Sequence, residues 1–433
     1  MTFNNKLFKK DFLLVAAGQI ISLFGNQILR YALPLYLLTK TGSSAMFGTI
    51  AACSFIPMLL LYPIGGILAD RLNKRTIMVI LDFGTALLSL LFVLLAQTMN
   101  IAALMAVTMM LLYGIQGAYQ PAVKASIPVL VDAQALVQAN SVIDVISSLA
   151  SMIGPVIGGI LFSMFGLHPI LLVSILCFLL SAIMELFINI PYVKQQETEG
   201  VIKSGIRDLK ESFSFMMKKQ PVLWKMSLFY AGVNLLMTSL VMIAVPVIIT
   251  QYMNFSANTA NRLYGYAQGM IAAGSVLGGL FAGGFSRKIH ISSIPVFIIA
   301  AALSLILAGV GVQLKQTAML SYGLLVLGCA MMLVLVTVFT IQIMSFIQNI
   351  TPCHMIGKVV SCVICICMCT NPIGQFVYGI IFERLHSFLY LPFYAAAGSM
   401  ICITLCCKTI FQEALPEDRS KQGKLMAEGT WMK

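Results

Sequence analysis

The sequence predicts an all-α integral membrane protein, with twelve transmembrane helices arranged as two six-helix bundles. Of its 433 residues, 59% are hydrophobic and only 10% charged, where a soluble protein carries about 25% charged residues. The mean hydropathy of +0.94 belongs to the whole chain rather than to one anchor, so most apolar side chains must face lipid or each other. The apolar runs are long and continuous, whereas barrel strands would alternate apolar and polar residues.

Six runs of spanning length fall at Leu13 to Leu38, Ala45 to Leu68, Ile77 to Ala96, Ile101 to Tyr119, Val137 to Phe165 and Pro169 to Ile190. Six more follow a polar stretch: Met226 to Tyr252, Leu263 to Phe285, Ile291 to Val312, Ala318 to Ile347, Val359 to Glu383 and Leu385 to Phe411. Each is close to the 20 or so residues a tilted helix needs to cross a bilayer. The run at Leu13 is too long for a signal peptide and has no small-residue cleavage site after it, so the first helix is expected to stay in the protein. The predicted organisation is an N-terminal bundle over 1–190, a cytoplasmic linker over 191–225, a C-terminal bundle over 226–411 and a cytoplasmic tail over 412–433. In the linker, Ile206, Leu209, Phe213, Phe215 and Met216 alternate with Arg207, Lys210, Glu211, Lys218 and Lys219, a pattern suited to an amphipathic helix on the inner membrane surface or to a plain tether.

The basic residues set the orientation. Of 27 Lys and Arg, only Lys40, Arg262, Lys315 and Arg384 fall on one side and Arg30 within a span; all the others share the opposite side. Short basic loops stay cytoplasmic, so both termini are expected inside the cell, in a multi-pass protein of the plasma membrane. The net charge of +12 is then orientation signal and attraction to anionic lipid headgroups. Nucleic acid is not expected as a partner, because a soluble basic domain is lacking. The 11 cysteines lie almost wholly within spans, Cys362, Cys365, Cys367 and Cys369 being scattered around one helix axis. They read as small apolar packing residues, with no metal, cofactor or disulfide framework implied.

The two halves repeat at an offset of about 212 to 217 residues. Gly65-Gly66 aligns with Gly278-Gly279, each ahead of a basic pair, Lys74-Arg75 or Arg287-Lys288. Pro34 and Ser44-Ala45 align with Pro246 and Ser256-Ala257, and Pro155-Val156-Ile157-Gly158 with Pro372-Ile373-Gly374. Matches in register fit two similar bundles related by an axis along the membrane normal, with a site exposed alternately to each side.

With these features the chain resembles the major facilitator superfamily over essentially all twelve spans. Gly66-Ile67-Leu68-Ala69-Asp70-Arg71-Leu72-Asn73-Lys74-Arg75 is similar to that family's cytoplasmic loop of glycine, Asp-Arg and a basic pair. The expected roles are a glycine-assisted turn at Gly66, pairing or helix capping by Asp70, and retention of Arg71, Lys74 and Arg75 on the inner side. Gly154-Pro155-Val156-Ile157-Gly158-Gly159 resembles the motif of antiporter-type exporters, and its proline and glycines suit a bent helix that a neighbour approaches closely. Gln138-Ala139-Asn140-Ser141, Gly18-Gln19 and Leu33-Pro34 are similar to the macrolide-efflux branch. The position where many proton-coupled members carry arginine is Tyr113, so the family's usual proton relay is not carried over.

Ionisable residues inside spans are costly and therefore candidates for function. Asp82, Asp144 and Glu185 each lie within about two turns of a cytoplasmic helix end. Two readings stay open for them: structural pairing with Arg71, Lys74 or Lys124, and proton coupling. Arg30 lies nearer mid-span, and Gln19, Ser22, Asn26 and Arg30 form one helical stripe expected to face a central cavity. Tyr230, Asn234 and Thr238 form the counterpart in the second half. With Tyr113, Gln116, Gln120, Gln268, Gln342, Asn371 and Gln375 they would make a hydrogen-bonding lining among methionines and aromatics, suited to a bulky amphiphile or simply to tying helices together.

The expected function is secondary active export of hydrophobic or amphiphilic small molecules, macrolide or drug-like, by proton antiport in a monomer. The alternatives on the same fold are an uptake transporter and a lipid or siderophore exporter. The chain carries no GxxxxGK[ST], HExxH or GxSxG and has only 4 histidines, so no catalytic residue is assigned.

Overall fold

The computed structural model describes residues 10–132, 135–190, 210–284, 293–314, 317–352 and 355–407, apart from the side chains of Pro63, Ile67, Asp70, Arg71 and Val137. The described chain is helical, and twelve long helices account for nearly all of it. The first six are α1 (Lys10–Thr41), α2 (Ser44–Arg71), α3 (Lys74–Leu95), α4 (Ile101–Leu130), α5 (Leu136–Phe165) and α6 (Leu167–Leu186). The second six are α7 (Pro221–Tyr252), α8 (Ala257–Gly284), α9 (Ile294–Gln313), α10 (Ala318–Ile350), α11 (Ile356–Arg384) and α12 (Leu391–Cys406). Ten of the described helices are long and apolar enough to cross a membrane. The other two are α8, made more polar by Asn258, Asn261, Arg262 and Gln268, and the shorter α12. Leu94, Leu280 and Val296 expose 62%, 69% and 67% of their surface, which suits lipid contact and would be a fault in water.

Local chemistry places the breaks. Gly42 (φ +64°) turns the chain from α1 into α2, and Ser43 caps α2 by accepting from the Met46 amide at 3.1 Å. Asn73 caps α3 and Asn100 caps α4 in the same way. Gly166 (φ +74°) separates α5 from α6 with almost no loop. Prolines inside α1, α4, α5, α7 and α11 interrupt the backbone ladder without ending these helices, as membrane spans allow. Within α7 the ladder widens into π turns at Asn234–Thr238 and Ile248–Tyr252.

Several boundaries differ from the sequence expectation: α4 runs to Leu130, past the expected end at Tyr119 and so enclosing Lys124, and α8 starts at Ala257 rather than Leu263. Residues 385–390 form a turn, so the last helix starts at Leu391 with Pro392 in its first turn. Similarly, α7 begins at Pro221, inside the stretch expected as linker. Of that linker, 191–209 lies outside the described residues, and 210–219 is a short helical stretch burying Ser212 and Met216. Glu211 there accepts from Lys358 Nζ at 3.1 Å, with side chains 50% and 37% exposed. Exposed pairs contribute little, so Glu211→Ala is expected to change the unfolding free energy by less than about 0.5 kcal/mol, as thermal unfolding in detergent would measure.

The chain packs as two compact units: Met1–Gly205 with Met242–Ala273 and Gln375–Ser387, and Ile206–Val241 with Gly274–Gly374 and Phe388–Lys433. Within the first, α2 packs on α4, α1 on α5 and α6, and α3 on α4 and α6. Phe12, Met78, Ile127 and Ile188 belong to its core near the basic loops. Within the second, α9 packs on α10 and α12.

The loop motif takes a form the sequence did not indicate. Gly66 lies inside α2, not in a turn, and a Cβ there would meet no atom within 4 Å. Close approach instead requires Gly65, where a Cβ would lie 2.6 Å from Ala118 Cα on α4. The cap of α3 is Asn73, which accepts from the Arg75 amide at 3.0 Å, rather than Asp70. Asp70 and Arg71 end α2, and their side chains lie outside the described residues.

Candidate functional site

The polar stripe of α1 divides into two parts. Toward mid-helix, Arg30 Nη1 donates to Gln116 Oε1 on α4 at 2.8 Å, and the guanidinium lies 4.2 Å above the Tyr113 ring. The planar guanidinium thus uses both its edge and its face. Asn26, Arg30, Tyr113 and Gln116 are all half-buried, forming a polar and aromatic surface with one formal charge. Phe55 of α2 packs edge-on against Tyr113 at 5.3 Å.

Nearer the basic end the stripe turns inward. Gln19 and Ser22 are buried, at 1% and 4% exposure. Gln19 Nε2 donates to the Tyr119 hydroxyl oxygen at 2.6 Å, and Tyr119 donates to Glu185 Oε1 at 2.8 Å. Ser22 donates to Asp82 Oδ1 at 3.1 Å. Four helices therefore bring two hydrogen-bonded sets, Gln19–Tyr119–Glu185 and Ser22–Asp82, side by side in one cluster. Neither Asp82 nor Glu185 has an ion pair with a basic residue among the described residues, and Lys124 is exposed. Asp144 is also exposed and lies apart from the cluster.

The first unit is closed at the ends away from the basic loops. Tyr31 donates to the Asn261 carbonyl at 2.6 Å and stacks on Tyr264 at 4.7 Å. Gln268 donates to the Tyr264 hydroxyl at 3.1 Å. Arg262 Nε donates to Ser163 at 2.7 Å. In the α5 motif, Cβ atoms would reach Gln27 of α1 from Gly154 at 2.6 Å, Tyr31 from Gly158 at 3.1 Å, and Gly265 Cα of α8 from Gly159 at 2.9 Å. Pro155 presents its carbonyl to Gly265. On the other flank, a Cβ on Gly48 would lie 2.5 Å from the Gln375 carbonyl and 2.8 Å from Gly379 Cα. Gln375 itself is buried and donates to Met242 Sδ at 3.3 Å.

Glu383 completes that flank. Its Oε2 accepts from Ser43 Oγ, Ser44 Oγ and the Ala45 amide at 3.2, 3.1 and 3.1 Å, clamping the N-terminus of α2, where the helix dipole favours an anion. Glu383→Ala should loosen this end by about 1 kcal/mol and lower transport about fivefold, since 1.4 kcal/mol is a factor of ten. Glu383→Gln keeps an acceptor and should lose less than about half as much in free energy. Initial transport rates at matched membrane levels check both.

In the second unit, Asn234 Nδ2 donates to the Tyr230 carbonyl at 3.1 Å, and Ser239 Oγ donates to the Asn234 and Asn371 carbonyls at 3.0 and 3.3 Å. Asn234 and Asn371 thus meet through Ser239, while Gln342 is half-buried on α10. Sequence reasoning assigned no role to Tyr119, Tyr31, Ser239, Gly48 or Glu383. Tyr119 did carry a signal, lying between Gln116 and Gln120 on one polar helix.

Twelve helices among the described residues, ten of them long and apolar enough to cross a membrane and several carrying polar faces, define a polytopic membrane protein. The family model of the Major Facilitator Superfamily matches residues 15–370, and the chain belongs to that superfamily. It is 25% identical over 416 residues to macrolide efflux protein A of Streptococcus pyogenes, covering 94% of this chain and 97% of the relative. Among solved structures, a mutant of the peptide transporter POT in complex with alafosfalin superposes with a TM-score of 0.72 at 13% identity, covering 94% of this chain and 95% of that one. A bacterial homologue of the iron transporter ferroportin gives 0.69 at 16% identity, covering 94% and 98%. At such identities these two likenesses concern the fold.

Proposed function

We propose that this transporter exports bulky amphiphilic compounds of the macrolide type by proton antiport with alternating access. It would act as a monomer in the plasma membrane, with both termini cytoplasmic and its basic loops against anionic lipid. The observation that carries the proposal is the surface around Arg30: one cation fixed by Gln116 and Tyr113 among half-buried aromatic and amide side chains. Such a surface orients a solute through a few polar groups while apolar walls accept varied shapes. The relationship to a macrolide efflux protein over nearly the full length of both chains supports the same substrate class. The basic loops then face the cytoplasm, and the Tyr31, Arg262 and Glu383 contacts close the outward end.

The test is erythromycin accumulation in inverted membrane vesicles on imposing and then collapsing a proton gradient. Accumulation that follows the gradient is the expected result; accumulation indifferent to it would sink antiport.

A further inference from the structure

We propose that Asp82, held by Ser22, and Glu185, held by Tyr119 and Gln19 beside it, form a single proton-binding site within the first unit, and that its proton is the one exchanged for substrate. The second half rests on the antiport reading above; the proton site itself does not.

The first argument is a count of donors. Asp82, Glu185 and Gln19 are 3%, 0% and 1% exposed. Asp82 Oδ2, Glu185 Oε2 and Gln19 Oε1 are buried oxygens without a hydrogen-bond partner. The hydroxyl donors around them are already used: Tyr119 on Glu185 Oε1, Ser22 on Asp82 Oδ1 and Ser181 on the Gly18 carbonyl, while the Gln19 amide donates to Tyr119. An ionised carboxylate only accepts, whereas a protonated one also donates. One proton on either acid turns an orphan acceptor into a donor, with two orphan acceptors left to receive it. Buried polar atoms rarely stay unpartnered, and three gathered in one cluster mark where a proton belongs.

The surrounding charges give the second argument. On α1 the nearest cation is Arg30, already engaged by Gln116 and Tyr113 and about 12 Å along the axis from Ser22. At its start, α1 offers Asp11, whose carboxylate accepts from the Asn189 amide. On α3, Lys74 and Arg75 lie about two turns before Asp82. Besides Tyr119, α4 carries the exposed Lys124; besides Glu185, α6 carries the half-buried Cys177; Asp144 of α5 is exposed. Glu185 and Asp82 lie within each other's electrostatic reach. With no basic partner for them among the described residues, a proton is the cation that balances them within the span.

Access supplies the third argument. A cavity of about 20 Å³ is lined by Ser22, Asn26, Asp82, Gln116, Tyr119 and Gln120, among others, and about 10–15 Å³ suffices for one water. It joins Asp82 to Gln116, the residue that holds Arg30. In the exchange, the carboxyl O–H bond breaks heterolytically, the proton passes to water in this cavity, and a carboxylate remains. Rebinding from the other compartment reverses the step without electron transfer.

Two measurements test the proposal. Infrared spectroscopy of the purified protein should show a protonated-carboxyl band that responds to pH and to deuterium, and that disappears in Asp82→Asn or Glu185→Gln. Where one variant fails to fold, the other decides. A missing band, or one indifferent to pH, overturns the site. In proteoliposomes, either variant should reduce gradient-driven erythromycin accumulation at least ten times more than it reduces erythromycin counterflow, which needs no net proton movement. Equal losses of both, or accumulation driven by sodium alone, overturn the coupling role. A pH-responsive band alongside wild-type transport indifferent to the gradient would uphold the proton site and defeat the antiport reading instead.

Discussion

Arg30→Ala is expected to lower transport at least tenfold while leaving membrane insertion intact. The substitution removes a charge-assisted hydrogen bond to Gln116 at 2.8 Å and a guanidinium held 4.2 Å from the Tyr113 ring. The first interaction is worth about 1.5–3 kcal/mol and the second up to about 2 kcal/mol when desolvated. The two together come to as much as about 5 kcal/mol, and half of that, lost from the transporting state, exceeds the 1.4 kcal/mol that corresponds to a factor of ten. Arg30→Lys keeps the charge but cannot bond and stack with one planar group, so its rate should fall between the two. The measurement is the initial rate of erythromycin transport at matched membrane levels. A wild-type rate in Arg30→Ala would remove Arg30 from the site.

Gly265→Val should have a comparable effect by a different route. A Cβ at Gly265 would lie 2.7 Å from the Pro155 carbonyl and 3.0 Å from Gly159 Cα. These are backbone atoms that no rotamer change can move, so α5 and α8 must part. Overpacking of this kind costs about 1–3 kcal/mol, which would disfavour closure of the end away from the basic loops about fivefold to 150-fold. Transport should fall accordingly, with the protein still present in the membrane. Gly66→Ala is the matched control: a Cβ there meets nothing within 4 Å, and its rate should stay within about twofold of wild type. An unchanged rate in Gly265→Val would mean that α5 and α8 never need to meet there.

The order of the helices was legible because periods and lengths are local properties. Apolar runs bounded by Gly42, Asn73, Asn100 and Gly166 mark their own ends. Residue 385, by contrast, seemed to open a helix because His386 and Ser387 are too few to outweigh the apolar residues around them. Contacts between helices depend on rotation about each axis, which spacing gives only approximately. Gln19, Ser22, Asn26 and Arg30 do share one stripe, yet its two ends meet different neighbours. Asp82 and Glu185 lie far apart in sequence, and only the packing of α3 and α6 around Tyr119 brings them together. In α7, the π turn over Asn234–Thr238 adds a residue to the turn, so Ser239 rather than Thr238 reaches Asn371. A stripe drawn at α-helical spacing could not anticipate that shift.

The glycine contacts at the end away from the basic loops bear on how easily that end opens. Where Gly48 meets Gly379 and Gly159 meets Gly265, backbone rests on backbone. Glycine has no side-chain rotamers to freeze when the helices close or to release when they part. Opening such a seam therefore involves no reshuffling of interlocked side chains. Its strength comes from dispersion across smooth surfaces and a few polar latches, and losing either partner's fit weakens it over a short distance. A seam built this way favours frequent, reversible separation over permanent adhesion, as the proposed alternating access would require.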